Sequence, residues 1–174
     1  MKKNWLKTTI MFISVLIFRL MPFRAPNVEP IMAVIMPFGK AYGALMSFIF
    51  GVLSIVVYDS VTSGFGVWTI LTALAYGLVG VGAFWYFKNR SGWKSYPSYA
   101  IIATIIYDAL TGLTLGPVFF HQSFVNALVG QVPFTALHLL GNVSFAIVLS
   151  PAIERWLVKE SKSVVAVEKV VLVS

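Results

Sequence analysis

The chain has 174 residues, 59% hydrophobic and 11% charged, with 13 basic against 6 acidic side chains and a mean hydropathy of +0.87. A water-soluble domain carries about 25% charged residues, so this composition excludes one and makes a bilayer the solvent. The positive excess sits at the ends of apolar runs, as topology signals do, rather than in a nucleic-acid patch. The absence of cysteine excludes disulfides, thiolate metal sites and iron–sulfur clusters.

The apolar runs predict one all-α integral membrane domain of six transmembrane helices. The first, 5–21, begins behind Lys2, Lys3 and Lys7 and stops at Pro22 and Pro26, since proline lacks the N–H a helix needs. No small-x-small cleavage site follows it, so it reads as a retained helix rather than a signal peptide. Arg19, near its far end, is expected to snorkel outward. Residues 23–30 read as the first outer loop. The second helix, 30–38, is short for a span that needs about 20 residues.

The third helix is expected over 40–58. Gly39, Gly43, Ser47 and Gly51 recur every fourth position, a small-residue stripe against which a second helix can lie closely. It serves either internal packing or docking of a partner membrane protein. The fourth helix, 67–87, is followed by a basic loop with Lys88, Arg90 and Lys94. The fifth spans 97–115. A long outer loop, 116–130, carries His121, Gln122 and Asn126. The sixth helix, 131–158, ends in a polar tail, 159–174. With both termini cytoplasmic, only Arg19 and Arg24 of the 13 basic residues fall on outer segments, a strong positive-inside bias.

One phrase occurs twice. Tyr58-Asp59-Ser60-Val61-Thr62 closes the third helix and Tyr107-Asp108-Ala109-Leu110-Thr111 the fifth, each with a glycine within two residues. Each is followed by an apolar segment with Thr-Ala-Leu, at Thr72 and at Thr135. The pattern predicts a duplicated helix hairpin, with the longer second connection as a place for specificity.

Ionisable groups beside membrane spans are costly and point to function. Asp59 and Asp108 either cap helix ends or contribute to a ligand site. On the sixth helix, Gln131, Thr135, His138 and Asn142 form a polar stripe; the fourth offers Trp68, Thr69, Thr72 and Tyr76. Both stripes serve either interhelical hydrogen bonds or a small planar ligand held by aromatic faces and a few polar groups. The reading assigns the substrate site to Asp59, Trp68, Thr72, Tyr76, Asp108, His121, Gln122, Gln131, His138 and Asn142. It expects no catalytic residue, metal or cofactor: no zincin, nucleophile-elbow or nucleotide-binding motif is present.

The six short spans, together with Pro37-Phe38-Gly39-Lys40-x-Tyr42-Gly43, Tyr58-Asp59 and Thr72-Ala73-Leu74-Ala75-Tyr76-Gly77, resemble the S components of energy-coupling factor transporters. The resemblance covers about residues 5–158 and implies a multi-pass subunit of a prokaryotic cell membrane. Such a subunit is not an enzyme. It captures a small vitamin-like or aromatic micronutrient at the outer face and delivers it with a T component and two ATPases. The family docks through an Ala-x-x-x-Ala-type stripe on its first helix. Thr8, Thr9 and Ser14 are the small residues here, so the docking role passes to Gly39, Gly43, Ser47 and Gly51. Lys2-Lys3 stands where metal-transporting members carry a histidine close to the start. The alternative from another class is a polytopic membrane enzyme or a structural membrane protein without a transported ligand.

Overall fold

The structure is a computed structural model that describes residues 2–90 and 92–171, with side chains for 5–90 and 92–157. The described residues form six helices: α1 (Lys2–Leu20), α2 (Ile31–Tyr42), α3 (Ala44–Val61), α4 (Val67–Phe87), α5 (Ser95–Thr114) and α6 (Phe124–Val171). A π-helical turn, Leu115–Phe119, extends α5. Four helical stretches are long and apolar enough to cross a bilayer: Ala44–Val61, Val67–Phe87, Ser95–Phe119 and Phe124–Leu157. Large apolar side chains point outward along them, as Ile101, Ile102, Ile105 and Ile106 do on α5. Water would penalise such a surface and lipid does not. These features fit a multi-pass membrane protein.

The helices run alternately up and down. Lys7 donates to the Trp156 carbonyl (2.6 Å), while Phe18, near the other end of α1, packs edge-on to Phe145. Helices α1 and α6 are therefore antiparallel. Lys40 meets Glu154, which places the α2 end beside the same part of α6 as Lys7. The Tyr96 hydroxyl also donates to Glu154 (2.7 Å), which brings the connection with Lys88, Arg90 and Lys94 to this end, the basic end of the bundle.

Helix α2 forms the centre. Ile31 to Gly39 are all buried, apolar on every face, as a helix surrounded by others must be. Its 12 residues reach about 18 Å, against a hydrocarbon core of about 30 Å. Residues 27–30, partly to fully buried, lead into α2 from the end opposite the basic one without regular structure, while Met21, Pro22, Phe23, Ala25 and Pro26 before them are exposed. Lipid-exposed backbone of this kind is not tolerated, but backbone buried in protein or lining a cavity is. Asn27 turns the segment with φ 62°, a left-handed conformation that asparagine accepts more readily than most residues. On α6, Gly141 leaves room for it: a Cβ there would stand 3.1 Å from Val28 Cα.

Several expected boundaries shift. The proposed single helix over 40–58 is broken at Gly43, whose φ of 89° and ψ of 175° are open to glycine alone. Gly39 thus belongs to α2, and Ser47 and Gly51 to α3. The four do not form one stripe, and three are inside. A Cβ on Gly51 would come within 2.6 Å of the Tyr76 carbonyl oxygen, and one on Gly80 within 2.6 Å of the Ser47 carbonyl oxygen. Gly39 faces Ser47, Gly80 and Phe84 at 3.1–3.3 Å. Small residues are needed here so that α2, α3 and α4 can touch backbone to backbone. The stripe is consumed by internal packing and is not an outer docking face.

The long outer loop 116–130 is also mostly helix. Only residues 120–123 connect the π turn to α6. Ser123 starts α6 by accepting the Asn126 N–H on its side chain (3.2 Å), an N-cap role that serine suits. Pro133 and Pro151 lie inside α6; such prolines are tolerated where neighbouring helices re-satisfy the backbone. Of the expected tail 159–174, residues 159–171 continue α6, and 172–174 lie outside the described residues.

Candidate functional site

At the end opposite the basic end, the 21–30 segment roofs a cavity of about 520 Å³, within the roughly 300–1,000 Å³ of small-molecule sites. Arg19, Arg24, Asn27 and Glu29 line it, together with Tyr58, Thr62, Tyr107, Phe134 and His138.

The α1 side is built on a buried ion pair. Arg19 Nε lies 2.9 Å from Glu29 Oε2. One terminal nitrogen of Arg19 donates to the Ser54 carbonyl (2.9 Å), and its guanidinium covers the Tyr58 ring at 3.8 Å. The Tyr76 hydroxyl donates to Glu29 Oε1, and the Tyr76 and Tyr107 rings are in contact (4.5 Å between centroids). The expectation that Arg19 snorkels outward is therefore wrong. Glu29, buried two residues before α2 starts, offers the charge partner that water offers elsewhere. A buried charge persists only when paired and hydrogen-bonded, and Arg19 meets both conditions.

The α5–α6 side is a ladder. Residues 108 and 138 form one rung, with His138 Nδ1 2.7 Å from Asp108 Oδ1. One turn away, Asn142 Nδ2 donates to Thr104 Oγ1 (2.9 Å). A turn further, Ala100 and Ala146 are both fully buried, which lets the helices stay close. His138 and Asp108 are 3% and 1% exposed as side chains. Three polar atoms of this ladder have no partner: His138 Nε2, Asp108 Oδ2 and Asn142 Oδ1. Of these residues, His138 lines the cavity. Tyr107 and Phe134 stand edge-on to its ring at 5.6 and 5.9 Å.

The predicted site residues divide accordingly. Of the predicted residues His138 lines the cavity; Asp108 bonds it from behind, Asn142 bonds Thr104 one turn away, and Tyr76 bonds the cavity-lining Glu29. Asp59 is not at the cavity. Its carboxylate accepts from Thr69 Oγ1, and its carbonyl accepts from the Thr62 and Gly64 N–H groups. It ties the α3–α4 turn. Trp68 lies outside the cavity lining, and Thr72 donates to the Trp68 carbonyl within its own helix (2.7 Å). Gln131 donates to Thr135 (3.1 Å), four residues on. His121 and Gln122 are exposed in the short 120–123 connection, away from the cavity lining. The sequence places them at the site only if residues 116–130 form a long loop, and here 116–119 and 124–130 are helical.

The duplicated phrase has a structural counterpart. In each hairpin the aspartate closing the first helix bonds a side chain of the second: Asp59 to Thr69, Asp108 to His138. The copies differ in what that bond does, since only the second stands at the cavity.

Sequence reasoning missed Arg24, Asn27 and Glu29. An acid just before an apolar helix, facing an arginine at the end of the preceding one, is the signal that could have found Glu29. Among the described residues no three His, Asp or Glu side chains gather to hold a metal ion. The fold and cavity together define an all-helical, membrane-type bundle with a small-molecule-sized site near one end. Comparison of the chain with known family models, with curated proteins and with solved structures finds no match.

Proposed function

We propose that the chain is the substrate-binding membrane subunit of a nutrient importer of the energy-coupling factor kind, working with a T component and two ATPases in a prokaryotic cell membrane. In this reading all six helices are embedded, with α2 entered through residues 27–30, and both termini are cytoplasmic. The cavity end then faces outward, where a scarce nutrient is met.

The observation that carries the reading is the buried, unpartnered Nε2 of His138, a residue of the wall of a cavity also lined by aromatic rings, the Arg19–Glu29 pair and Arg24. An unmet buried hydrogen-bonding atom costs about 1–3 kcal/mol, and a site that binds a ligand is where that cost is recovered. A membrane enzyme is the second reading, because a carboxylate-held histidine with a free Nε2 is also the geometry of a general base.

Purification of the tagged chain from its native membranes, with peptide identification of what co-elutes, tests the proposal. Two proteins with nucleotide-binding P-loops and one further membrane subunit, in fixed stoichiometry, are expected. A chain that elutes alone under conditions that keep other membrane complexes intact sinks the importer reading.

A further inference from the structure

Resting on the reading of the cavity as a small-molecule site, the chemistry of its walls narrows the ligand. Three charged side chains line it. Arg19 and Glu29 neutralise each other. Arg24 remains: its Nε donates to the Arg19 carbonyl (3.0 Å), which orients the guanidinium and leaves its two terminal nitrogens unused among the described residues. An oriented guanidinium fork matches a carboxylate in two parallel hydrogen bonds.

His138 makes the complementary demand. A neutral imidazole that donates Nδ1–H to a carboxylate carries its lone pair on Nε2. Asp108 Oδ1 lies 2.7 Å from His138 Nδ1, and the tautomer with its proton on Nδ1 leaves Nε2, unpartnered among the described residues, as an acceptor. Tyr58, Tyr107 and Phe134 line the same cavity, and aromatic side chains of this kind suit an apolar ring.

We propose that the cavity takes a small ring-bearing carboxylic acid with an N–H or O–H donor at the end remote from its acid group. The carboxylate pairs with Arg24, the donor bonds His138 Nε2, and the ring packs against the aromatic side chains. Asp108 is a positioning residue: it sets the tautomer that makes His138 an acceptor.

Titration calorimetry of the full chain in detergent tests both ends with 4-hydroxyphenylacetate and two matched probes. 4-Methoxyphenylacetate lacks the donor, and 4-hydroxyphenylacetamide lacks the charge. The expected result is binding of the first, with the amide weaker by about 10- to 150-fold for the lost bond to a charged group and the ether weaker by about 5- to 150-fold for leaving Nε2 unmet. Arg24→Gln abolishes the preference for the acid over the amide. The paired change Asp108→Val/His138→Leu removes both buried polar groups, so that neither is stranded, and abolishes the preference for the phenol over the ether. Thermal unfolding of both variants confirms that they fold.

Equal binding of the three probes, or tightest binding of the amide, overturns the inference and leaves the binding-subunit reading standing. If none of the three binds, native mass spectrometry of the purified chain followed by methyl esterification of the released molecule decides. A released molecule without a carboxylate overturns the inference alone. A cavity that holds only water in the wild-type chain overturns both.

Discussion

Arg19 and Glu29 show how much one buried pair decides. The two side chains join the end of α1, the start of α2, the backbone of α3 at Ser54 and, through Tyr76, the middle of α4. Removing one member leaves the other charged and buried, at a cost of about 3–5 kcal/mol. Arg19→Ala and Glu29→Ala are each expected to destabilise the folded chain by that amount, measured as the unfolding transition in detergent. The double change Arg19→Met/Glu29→Leu is expected to recover most of the loss, because well-packed apolar groups replace a buried ion pair at little cost. If the double variant is as unstable as the single ones, the pair is not what joins these helices. By contrast, Lys88 and Lys94 lie at the basic end, far from the cavity. Lys88→Ala and Lys94→Ala are expected to leave binding of 4-hydroxyphenylacetate unchanged by calorimetry. A loss of affinity in either would move the site to the other end of the bundle.

At the scale of elements, two contacts set the architecture. The first is the approach of α3 to α4. A side chain at Gly51 would meet the Tyr76 carbonyl and the Gly77 nitrogen, which are backbone atoms and cannot rotate aside. Overpacking of this kind costs about 1–3 kcal/mol or more, so Gly51→Leu is expected to lower the unfolding midpoint by at least that amount. An unchanged midpoint would mean that the helices are further apart than described. The second is the corner between α2 and α3. Gly43 has open space around its missing Cβ, but its φ of 89° strains any L residue by about 1–3 kcal/mol. Gly43→Ala is expected to destabilise the fold by that margin through the backbone alone. Substitution here therefore reports the corner, not a partner. Of the elements themselves, α4 was legible in the sequence to the residue, because Gly66 and the basic loop punctuate it. The ends of α5 and α6 were not. Gly116, Pro117 and Gly130 look like loop punctuation, yet they sit in a π turn and a helix whose apolar surroundings favour closed hydrogen bonding over loop.

For the whole molecule, the arrangement predicts which positions share a side of the membrane. The chain contains no cysteine, so single cysteines can be introduced without background. Trp5→Cys and Asn89→Cys, both at exposed positions of the basic end, are expected to react only with reagent that reaches the cytoplasm. Ser63→Cys and His121→Cys, at the cavity end, are expected to react with impermeant maleimide added to intact cells. Labelling of Asn89→Cys and Ser63→Cys from the same side would rule out a spanning α4.

The apolar content, the spacing of the runs and the placement of basic residues were enough to read an all-helical membrane bundle, because those features reflect the chain's exchange of water for lipid and act locally. The same local reading put His138 and Asn142 on one face, since polar residues four apart on a helix share it, and the repeated Tyr-Asp phrase singled out Asp108. It did not separate Asp59, which ties a turn, from Asp108, which stands beside the cavity. Nor did it bring Arg24 and Glu29 to the site, or reveal that the glycine stripe is spent inside the bundle. Those outcomes depend on which helix lies against which. Helix α2 sits at the centre, and the chain leading into it buries Glu29 and Pro30 while residues 21–23 stay exposed over the cavity. Only that packing carries Glu29 to Arg19 and opens the cavity beside His138.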